Sequence, residues 1–303
     1  MNTEGNRPVV VGIGELLWDL LPEGKELGGA PANFAYHAQS LGAAASVVSC
    51  VGEDDPGGEI LDRLGEQGLD LRYVAVTSEH PTGTVSVELD GKGKPKFTIH
   101  QNVAWDYIPS SSEQIRLAGR ADAVCFGSLA QRSPVSRRTI RLFLEGTRPD
   151  VCLRVFDINL RQSYYSRDLI RESLTLCNVL KLNDEEITVV SELLSLKGSE
   201  SERVGQIVKE YSLRVVAVTK GERGSSVYTP DGKTEHPGFP PERIVDTVGA
   251  GDSYTASMVM GLLRGESLGT ICENANRLAS YVCSQKGAMP PIPDALRPLK
   301  RRR

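Results

Sequence analysis

Hydrophobic positions along the chain fall into short, β-branched runs that alternate with longer amphipathic segments. The runs predict buried strands at Val9 to Ile13, Ala45 to Val51, Ala123 to Phe126, Cys152 to Phe156, Asn178 to Lys181 and Arg214 to Val218. The amphipathic segments predict helices that include Asn33 to Leu41, Glu59 to Gln67, Pro134 to Leu144 and Glu202 to Tyr211. This alternation favours an α/β fold in which helices cover both faces of a central, mostly parallel sheet.

Two segments depart from this alternation of strands and helices, and their patterns predict antiparallel hairpins. Residues 82–101 alternate hydrophobic and polar positions on either side of a Gly-Lys-Gly-Lys turn, and residues 15–27 show a shorter version of the same pattern. The two hairpins would combine into a small sheet, made of segments of about 15–30 and 82–103, which is either a lid over a cleft or a surface excursion. Because no internal repeat or low-complexity linker interrupts the chain, we expect one domain over residues 1–303.

The amino-acid composition argues against nucleic-acid and membrane partners. Hydrophobic residues make up 40% of the 303 residues and charged residues 24%, and the formal net charge of -4 gives no electrostatic basis for general nucleic-acid binding. No apolar stretch approaches the roughly 20 residues of a membrane span. The six cysteines contain no Cys-x-x-Cys pair and the four histidines have no metal-ligand spacing. We therefore expect a cytoplasmic protein with neither a nucleic-acid nor a membrane partner.

The densest chemical pattern is the stretch from Asp246 to Asp252. Small residues at Gly249, Ala250 and Gly251 precede a long helical pattern, where a ligand can approach the backbone and the first helical amides are unpaired. A carboxylate at Asp252 beside such an anion site suits a base for a hydroxyl that attacks phosphorus. The alternative is an ordinary N-cap aspartate.

Two other nucleotide motifs are absent from the sequence. Gly12 and Gly14 follow a predicted strand, but Leu17 stands where a dinucleotide fingerprint has its third glycine. The chain also lacks a Gly-x-x-x-x-Gly-Lys-Ser/Thr loop. A nicotinamide-dependent oxidoreductase and a Walker-type phosphate site are therefore disfavoured.

The stretch from Asp246 to Asp252 resembles the C-terminal signature of the PfkB family of carbohydrate kinases, the ribokinase-like kinases. Gly28 to Ala35 resembles the family's glycine-rich sugar-binding signature, and Gly14 to Asp19 and Asp157 to Arg161 look most like the fructokinase branch. The resemblance covers nearly the whole chain and implies a ribokinase-like fold with a small β-sheet lid. It also implies transfer of the γ-phosphate of MgATP to a sugar hydroxyl. Fructose is the first expectation, with ribose, 2-keto-3-deoxygluconate, a sugar phosphate or a nucleoside as alternatives.

The resemblance assigns roles to residues of the acceptor side. Asp252 matches the catalytic base, and the amides of Gly249, Ala250 and Gly251 match the anion hole. Sugar-binding positions match Asp19, Gly29 and Asn33, and Arg161 would reach the sugar or the γ-phosphate. Simpler readings stay open: Asp19 as a hairpin-turn residue, Asn33 as a helix cap and Arg161 in a surface salt bridge.

On the nucleotide side, the resemblance implies magnesium and phosphate placement, usually through waters, at Asn183 and Glu186. It further implies a nucleotide loop containing Thr219, Gly221 and Gly224, and an adenine-side position at Asn276. Potassium would bind near Asp246, although Val248 replaces a commoner threonine; a carbonyl ligand would survive that change. The expected cofactors are thus ATP, Mg²⁺ and K⁺, while Asn183 also suits a plain helix cap.

The sequence leaves one alternative from another functional class. A non-catalytic sugar- or nucleotide-sensing protein would use the same fold, but a pure binder has no need of Asp252 beside an anion site.

The sequence is compatible with two oligomeric states. The strands of the predicted lid would pair across a homodimer, or their edge lysines Lys92, Lys94 and Lys96 would keep the protein monomeric.

Overall fold

The computed structural model describes residues 7–21, 24–89, 95–239 and 243–297; the side chains of residues 87–89, 95 and 96 are outside this description. The predicted edge lysines of the second hairpin are therefore outside this description: Lys92 and Lys94 as whole residues, and Lys96 as a side chain. Among the described residues, no helix has the length and apolar character that a membrane crossing requires. The assignment of residues 1–303 to a single domain stays a prediction.

Strands and helices alternate along the described chain. The strands are β1 Val9–Ile13, β2 Leu17–Leu21, β3 Gly24–Gly28, β4 Ala44–Gly52, β5 Val74–Thr77, β6 Gly83–Leu89, β7 Pro95–Ile99, β8 Ala123–Phe126, β9 Leu153–Asp157, β10 Val179–Asn183, β11 Val215–Thr219, β12 Ser225–Thr229 and β13 Gly232–His236. The α-helices are α1 Ala30–Ser40, α2 Asp55–Glu66, α3 Ser112–Ala118, α4 Pro134–Glu145, α5 Arg167–Leu176, α6 Asp184–Leu194, α7 Glu200–Tyr211, α8 Ala250–Leu263 and α9 Leu268–Cys283.

A nine-stranded sheet with the order β13-β12-β11-β10-β9-β8-β1-β4-β5 forms the centre of the protein. Its strands pair in parallel except at β12 and β13, which are antiparallel to their neighbours. Adjacent strand residues enter different cores: Val10 packs in one hydrophobic cluster and Val11 in another. Since successive strand side chains point to opposite faces, both faces of the sheet are covered, which confirms the predicted mostly parallel α/β fold.

The two predicted hairpins form a separate four-stranded sheet with the order β3-β2-β6-β7. Strands β2 and β3 are antiparallel, as are β6 and β7, and the two hairpins join through the parallel pair β2 and β6. Hydrogen bonds tie this sheet to the main body: Trp18 Nε1 donates to Pro56 O at 2.9 Å and Gln162 Nε2 donates to Phe97 O at 2.8 Å. The expected small sheet is therefore present beside the large one.

Helix α1 lies directly on the first strand because Gly12 has no side chain. A Cβ atom at Gly12 would lie 2.0 Å from the carbonyl oxygen of Pro31, in the first turn of α1. This contact is between two backbones and has no flexible side chain that could move aside. The position of α1, which carries the glycine-rich signature, therefore depends on Gly12.

Gly12→Ala should destabilise the protein by about 1–3 kcal/mol, because α1 has to move away from β1 to accept the methyl group. Gly58→Ala is the matched control: Gly58 is an exposed residue of α2 with nothing within 4 Å of an added Cβ. Alanine there should leave the stability unchanged or raise it by up to about 1 kcal/mol. Urea unfolding of both variants measures the difference, and equal midpoints would show that Gly12 does not limit the approach of α1.

Candidate active site

The predicted anion site is the N-terminus of α8. Gly249 is the N-cap in the left-handed region, with φ 77°, and a Cβ on it would lie 2.6 Å from Ala288 O. Ala250, Gly251 and Asp252 follow as the first helical residues, where backbone amides point out of the helix end. Asp252 lies inside the helix, so the alternative that it is the N-cap is wrong.

Asp252 is held by the other signature. Asn33 Nδ2 donates a hydrogen bond of 2.8 Å to Asp252 Oδ2, across 219 residues of sequence. Asn33 is only 3% exposed, and its Oδ1 is buried without a hydrogen-bond partner among the described residues. Because α1 begins at Ala30 with Gly29 as N-cap, Asn33 is not a helix cap. Its unpaired oxygen is instead free for a ligand.

The pKa of Asp252 is raised to about 6, chiefly by burial and then by the negative charge of Asp157. The hydrogen bond from Asn33 and the positive charges of Lys181 and Arg161 act in the opposite direction. A carboxylate with a pKa near neutrality is ionised at neutral pH and still basic enough to accept a proton. The environment of Asp252 thus suits general base chemistry.

Further carboxylates lie on the acceptor side. Glu15 is 3% exposed and its Oε2 has no hydrogen-bond partner among the described residues. Burial raises its pKa to about 7, with the charge of Asp252 acting in the same direction and that of Arg161 against it. Burial likewise raises the pKa of Asp19 to about 6, and Arg161 again acts against the shift. The positive charge of Arg161 therefore lowers the pKa of all three carboxyl groups, those of Glu15, Asp19 and Asp252.

Glycines bring these groups close together. A Cβ on Gly28 would lie 2.5 Å from Asp19 Oδ2, and a Cβ on Gly29, at φ 122°, would lie 2.5 Å from Glu15 O. Asp19 sits in the middle of β2, so it is not a hairpin-turn residue. Arg161 is exposed, and within the described part of the chain it forms no ion pair within 4.0 Å, contrary to the salt-bridge alternative.

A buried ion pair that the sequence analysis gave no role lies beneath the N-terminus of α8. Lys181 Nζ, on β10, is 3.0 Å from Asp157 Oδ1, at the end of β9. Thr255, on α8, donates a 2.7 Å hydrogen bond to Asp157 Oδ2. A Cβ on Gly251 would lie 3.1 Å from Lys181 Nζ, so the ammonium is directly beside the helix terminus.

Asn183 and Glu186 form a capping box at the start of α6. Asn183 accepts hydrogen bonds from the amides of Glu185 and Glu186, and Glu186 Oε2 accepts one of 2.8 Å from Asn183 N. The cap reading of Asn183 is thus correct. The other carboxyl oxygen of Glu186 accepts from Leu160 N at 2.9 Å. Burial raises the pKa of Glu186, and the charge of Lys181 opposes that shift.

The remaining nucleotide-side residues have structural contacts of their own. Thr219 ends β11, and Gly221 and Gly224 adopt left-handed φ values of 58° and 78° around a short 3-10 helix. Asn276 is buried in α9 and donates 2.8 Å hydrogen bonds to Ser225 Oγ and Cys272 O. No described hydrogen bond joins these residues to Asp252, and their nucleotide roles stay predictions.

Asp246 is fixed in the loop before α8. Its Oδ1 accepts from Val248 N at 3.0 Å and its Oδ2 from Gly287 N at 3.2 Å. Among the described residues, no group of three or more His, Cys, Asp or Glu side chains is arranged to hold a metal ion. The potassium site near Asp246 stays a prediction.

Sequence reasoning missed Glu15, Asp157 and Lys181 as site residues. Each is a charged residue in or next to an apolar strand run, and charged residues are rarely buried without a partner or a function. Lys181 is the last residue of the predicted strand Asn178 to Lys181, and a lysine in a buried strand was the one sequence feature that could have indicated its role. Its pairing with Asp157, 24 residues earlier, depends on the strand order and is not visible in the sequence.

The fold and the paired signatures define a class of protein, the ribokinase-like sugar kinases, and comparisons with known proteins agree. A model of the pfkB family carbohydrate kinases matches residues 23–295. Fructokinase from Escherichia coli is 30% identical, over 93% of this chain and 95% of that protein. The chain therefore belongs to the pfkB family of carbohydrate kinases.

Solved structures show the same fold. The crystal structure of an uncharacterized sugar kinase, PH1459 from Pyrococcus horikoshii, superposes with a TM-score of 0.78 at 27% identity, covering 93% of both chains. Ribokinase from Arabidopsis thaliana, solved with ribose and ATP, superposes with a TM-score of 0.77 at 22% identity, covering 95% of this chain and 96% of that one. The names of these proteins include a fructokinase, a ribokinase and a sugar kinase of unstated acceptor, so the family is established and the acceptor sugar is not.

Glu15→Gln should flatten the pH dependence of stability. Folding raises the pKa of Glu15 from 4.5 to about 7, so between these values the folded protein binds more protons than the unfolded chain. The free energy of unfolding should therefore fall as pH rises through this window, by up to about 3 kcal/mol from this group. Urea unfolding near the two ends of the window should show a smaller fall in Glu15→Gln.

Glu66→Gln, on the exposed surface of α2, is the control and should keep the wild-type slope. If Glu15→Gln and Glu66→Gln lose stability with pH equally, the buried carboxyl of Glu15 is not protonated in the folded protein.

Proposed function

We propose that this carbohydrate kinase is a fructokinase that transfers the γ-phosphate of ATP to a hydroxyl of fructose. The observation that carries the proposal is the 2.8 Å hydrogen bond from Asn33 to Asp252 at the N-terminus of α8. It brings Asn33, from the segment that resembles the family's sugar-binding signature, next to Asp252, from the segment that contains the predicted anion hole. A hydroxyl beside Asp252 would then be both deprotonated and adjacent to an anion held by helix amides.

In this proposal Asp252 accepts the proton of the attacking hydroxyl while the amides of Gly249, Ala250 and Gly251 stabilise the transferring phosphoryl group. Asp19, Gly29 and Asn33 bind the sugar. The unpaired Oδ1 of Asn33 supports this role, because a buried acceptor without a partner is costly unless a ligand donates to it. Arg161, exposed and without an ion pair in the described chain, is available to the sugar or the γ-phosphate.

The charge of the acceptor side favours an uncharged sugar. The pKa shifts of Asp19 and Glu15 place Asp246, Glu26 and Asp252 within electrostatic range, with Arg161 as the opposing charge. Glu26 is 3.1 Å from Lys286, a pair exposed to solvent. A carboxylate or phosphate on the acceptor would be repelled, which disfavours 2-keto-3-deoxygluconate and sugar phosphates. Among neutral acceptors, the similarity to E. coli fructokinase favours fructose over ribose or a nucleoside.

ATP and Mg²⁺ are the proposed cofactors. A structural neighbour from E. coli was solved with ATP and Mg²⁺, at 20% identity and a TM-score of 0.80. Mg²⁺ usually keeps several waters and binds through one or two carboxylates and the substrate phosphates. Glu186, whose two oxygens already accept backbone amides, suits such a water-mediated contact. The small sheet would close over the sugar and exclude water; dimerisation through its strands stays a prediction.

Asp252→Asn should lower kcat by about 10²–10⁴-fold, because the amide keeps the shape of the side chain but cannot take the proton. The KM for fructose and the affinity for ATP should change little. Asp231→Asn, in an exposed turn after β12, is the matched control and should keep the wild-type rate. A coupled assay with fructose, ribose, a nucleoside and 2-keto-3-deoxygluconate measures both variants.

Near-native turnover by Asp252→Asn would overturn the proposed base. Turnover by the wild-type enzyme of 2-keto-3-deoxygluconate in preference to fructose would overturn the proposed acceptor.

Asp19→Asn should mainly weaken sugar binding, because it replaces a carboxylate that accepts from sugar hydroxyls with an amide. We expect the KM for fructose to rise at least about 10-fold, equivalent to one strong hydrogen bond, while the KM for ATP stays the same. Steady-state kinetics with each substrate varied in turn gives both constants. An unchanged fructose KM would remove Asp19 from the sugar site.

A further inference from the structure

Lys181 occupies an unusual position for a positive charge. It is 7% exposed, and its ammonium lies beside Gly251 in the first turn of α8. The N-terminus of a helix carries a partial positive charge, so the helix itself repels a lysine placed there. Burial adds a desolvation cost. A buried ammonium at a helix N-terminus therefore requires compensating negative charges.

Those charges are carboxylates that converge from three elements. Asp157, Glu186 and Asp252 outweigh the effect of burial and raise the pKa of Lys181, which therefore stays protonated. Asp157 holds the ammonium in place through the 3.0 Å contact, and Thr255 holds Asp157. The ion pair is thus anchored to β9, β10 and α8 together. Its position under the helix end does not depend on solvent-exposed contacts.

Asp252 needs such a charge because its surroundings are otherwise mostly acidic. The charged or titratable groups that act on it are Glu15 after β1, Cys125 on β8, Asp157 on β9, Arg161 in the following loop and Lys181 on β10, and Asn33 on α1 donates its hydrogen bond. Arg161 is exposed, so water and salt screen its charge. Lys181 is buried, so its positive charge is screened less than that of Arg161.

We propose that the Lys181 ammonium, fixed by Asp157, keeps the Asp252 carboxylate ionised and so makes Lys181 a positioning residue for catalysis. The inference rests on the proposed role of Asp252 as the base. In the reaction the acceptor hydroxyl gives its proton to Asp252, its oxygen forms a bond to the γ-phosphorus, and the bond to the leaving ADP oxygen breaks. Lys181 takes no proton in this sequence; it stabilises the state from which Asp252 can accept one.

The test is the pH dependence of kcat/KM, with fructose varied and MgATP saturating. Activity should fall as the pH drops through the pKa of Asp252, about 6. In Lys181→Met this acid limb should move up by about one pH unit, because an opposite charge nearby lowers a carboxyl pKa by about that much or more. Asp157→Asn, which removes a negative charge, should move the limb down.

The double variant D157N/K181M removes the whole ion pair and leaves neither partner buried alone, so it guards against loss of fold in Lys181→Met. Its acid limb should lie above that of Asp157→Asn, since the two proteins differ only in the lysine. Thr255→Val is the matched structural control: it removes the hydrogen bond to Asp157 without changing a charge. Its acid limb should coincide with the wild type even if its stability falls.

Acid limbs that coincide in Asp157→Asn and D157N/K181M would overturn the inference, as would an equal shift in Thr255→Val. Asp252→Asn belongs in the same series. If it keeps a near-native rate, the base assignment itself fails; if it is inactive while the Lys181 variants do not shift, only the role of Lys181 fails.

Discussion

The hydrogen bond from Asn33 to Asp252 is the interaction on which the rest of the site depends. It joins α1 to α8, two helices that are far apart in sequence and pack into the same hydrophobic cluster on one face of the sheet. The bond forms only if both helices are held at short range, and the chain does this by backbone contacts. Gly12 lets α1 approach β1, and Gly249 lets the turn before α8 approach Ala288.

The segment around Ala288 links the two helices from the opposite side. His37, on α1, contacts Ala288 O at 2.9 Å, and Tyr36 donates a 3.0 Å hydrogen bond to Pro290 O. Burial lowers the pKa of His37 to about 4, so the ring is neutral at physiological pH and the contact is insensitive to it. Helix α1 therefore positions Asp252 directly through Asn33 and indirectly through the irregular segment around Ala288, which lies against Gly249.

This arrangement carries an electrostatic cost that serves the chemistry. Glu15, Asp19 and Asp252 have raised pKa values chiefly because the protein partly or fully removes them from water, and then because each lies near at least one other carboxylate. Carboxyl groups that resist ionisation in the folded protein reduce its stability as the pH rises. In the proposed reaction Asp19 would accept hydrogen bonds from sugar hydroxyls and Asp252 would take the proton that leaves. Buried Lys181 and the amides of α8 would supply the opposite charge on the phosphoryl side.

Much of the fold could be predicted because its strands are buried on both faces and so appear as continuous apolar runs, as in Val9 to Ile13 and Ala123 to Phe126. Strand β13 could not, since Gly232–His236 is a polar edge strand without such a run. The residues of the two signatures were predicted because their spacing is local. Lys181 and Asp157 were not, because their meaning comes from the neighbouring positions of β9 and β10 in the sheet.

A crystal structure of the enzyme with fructose and a non-hydrolysable ATP analogue tests the role of Asp252 most directly. We expect one fructose hydroxyl about 2.6–3.2 Å from an Asp252 oxygen and in line with the γ-phosphorus, which is held at the N-terminus of α8. A hydroxyl bonded instead to Glu15 or Asp19, with Asp252 still paired to Asn33 alone, would contradict the proposed base.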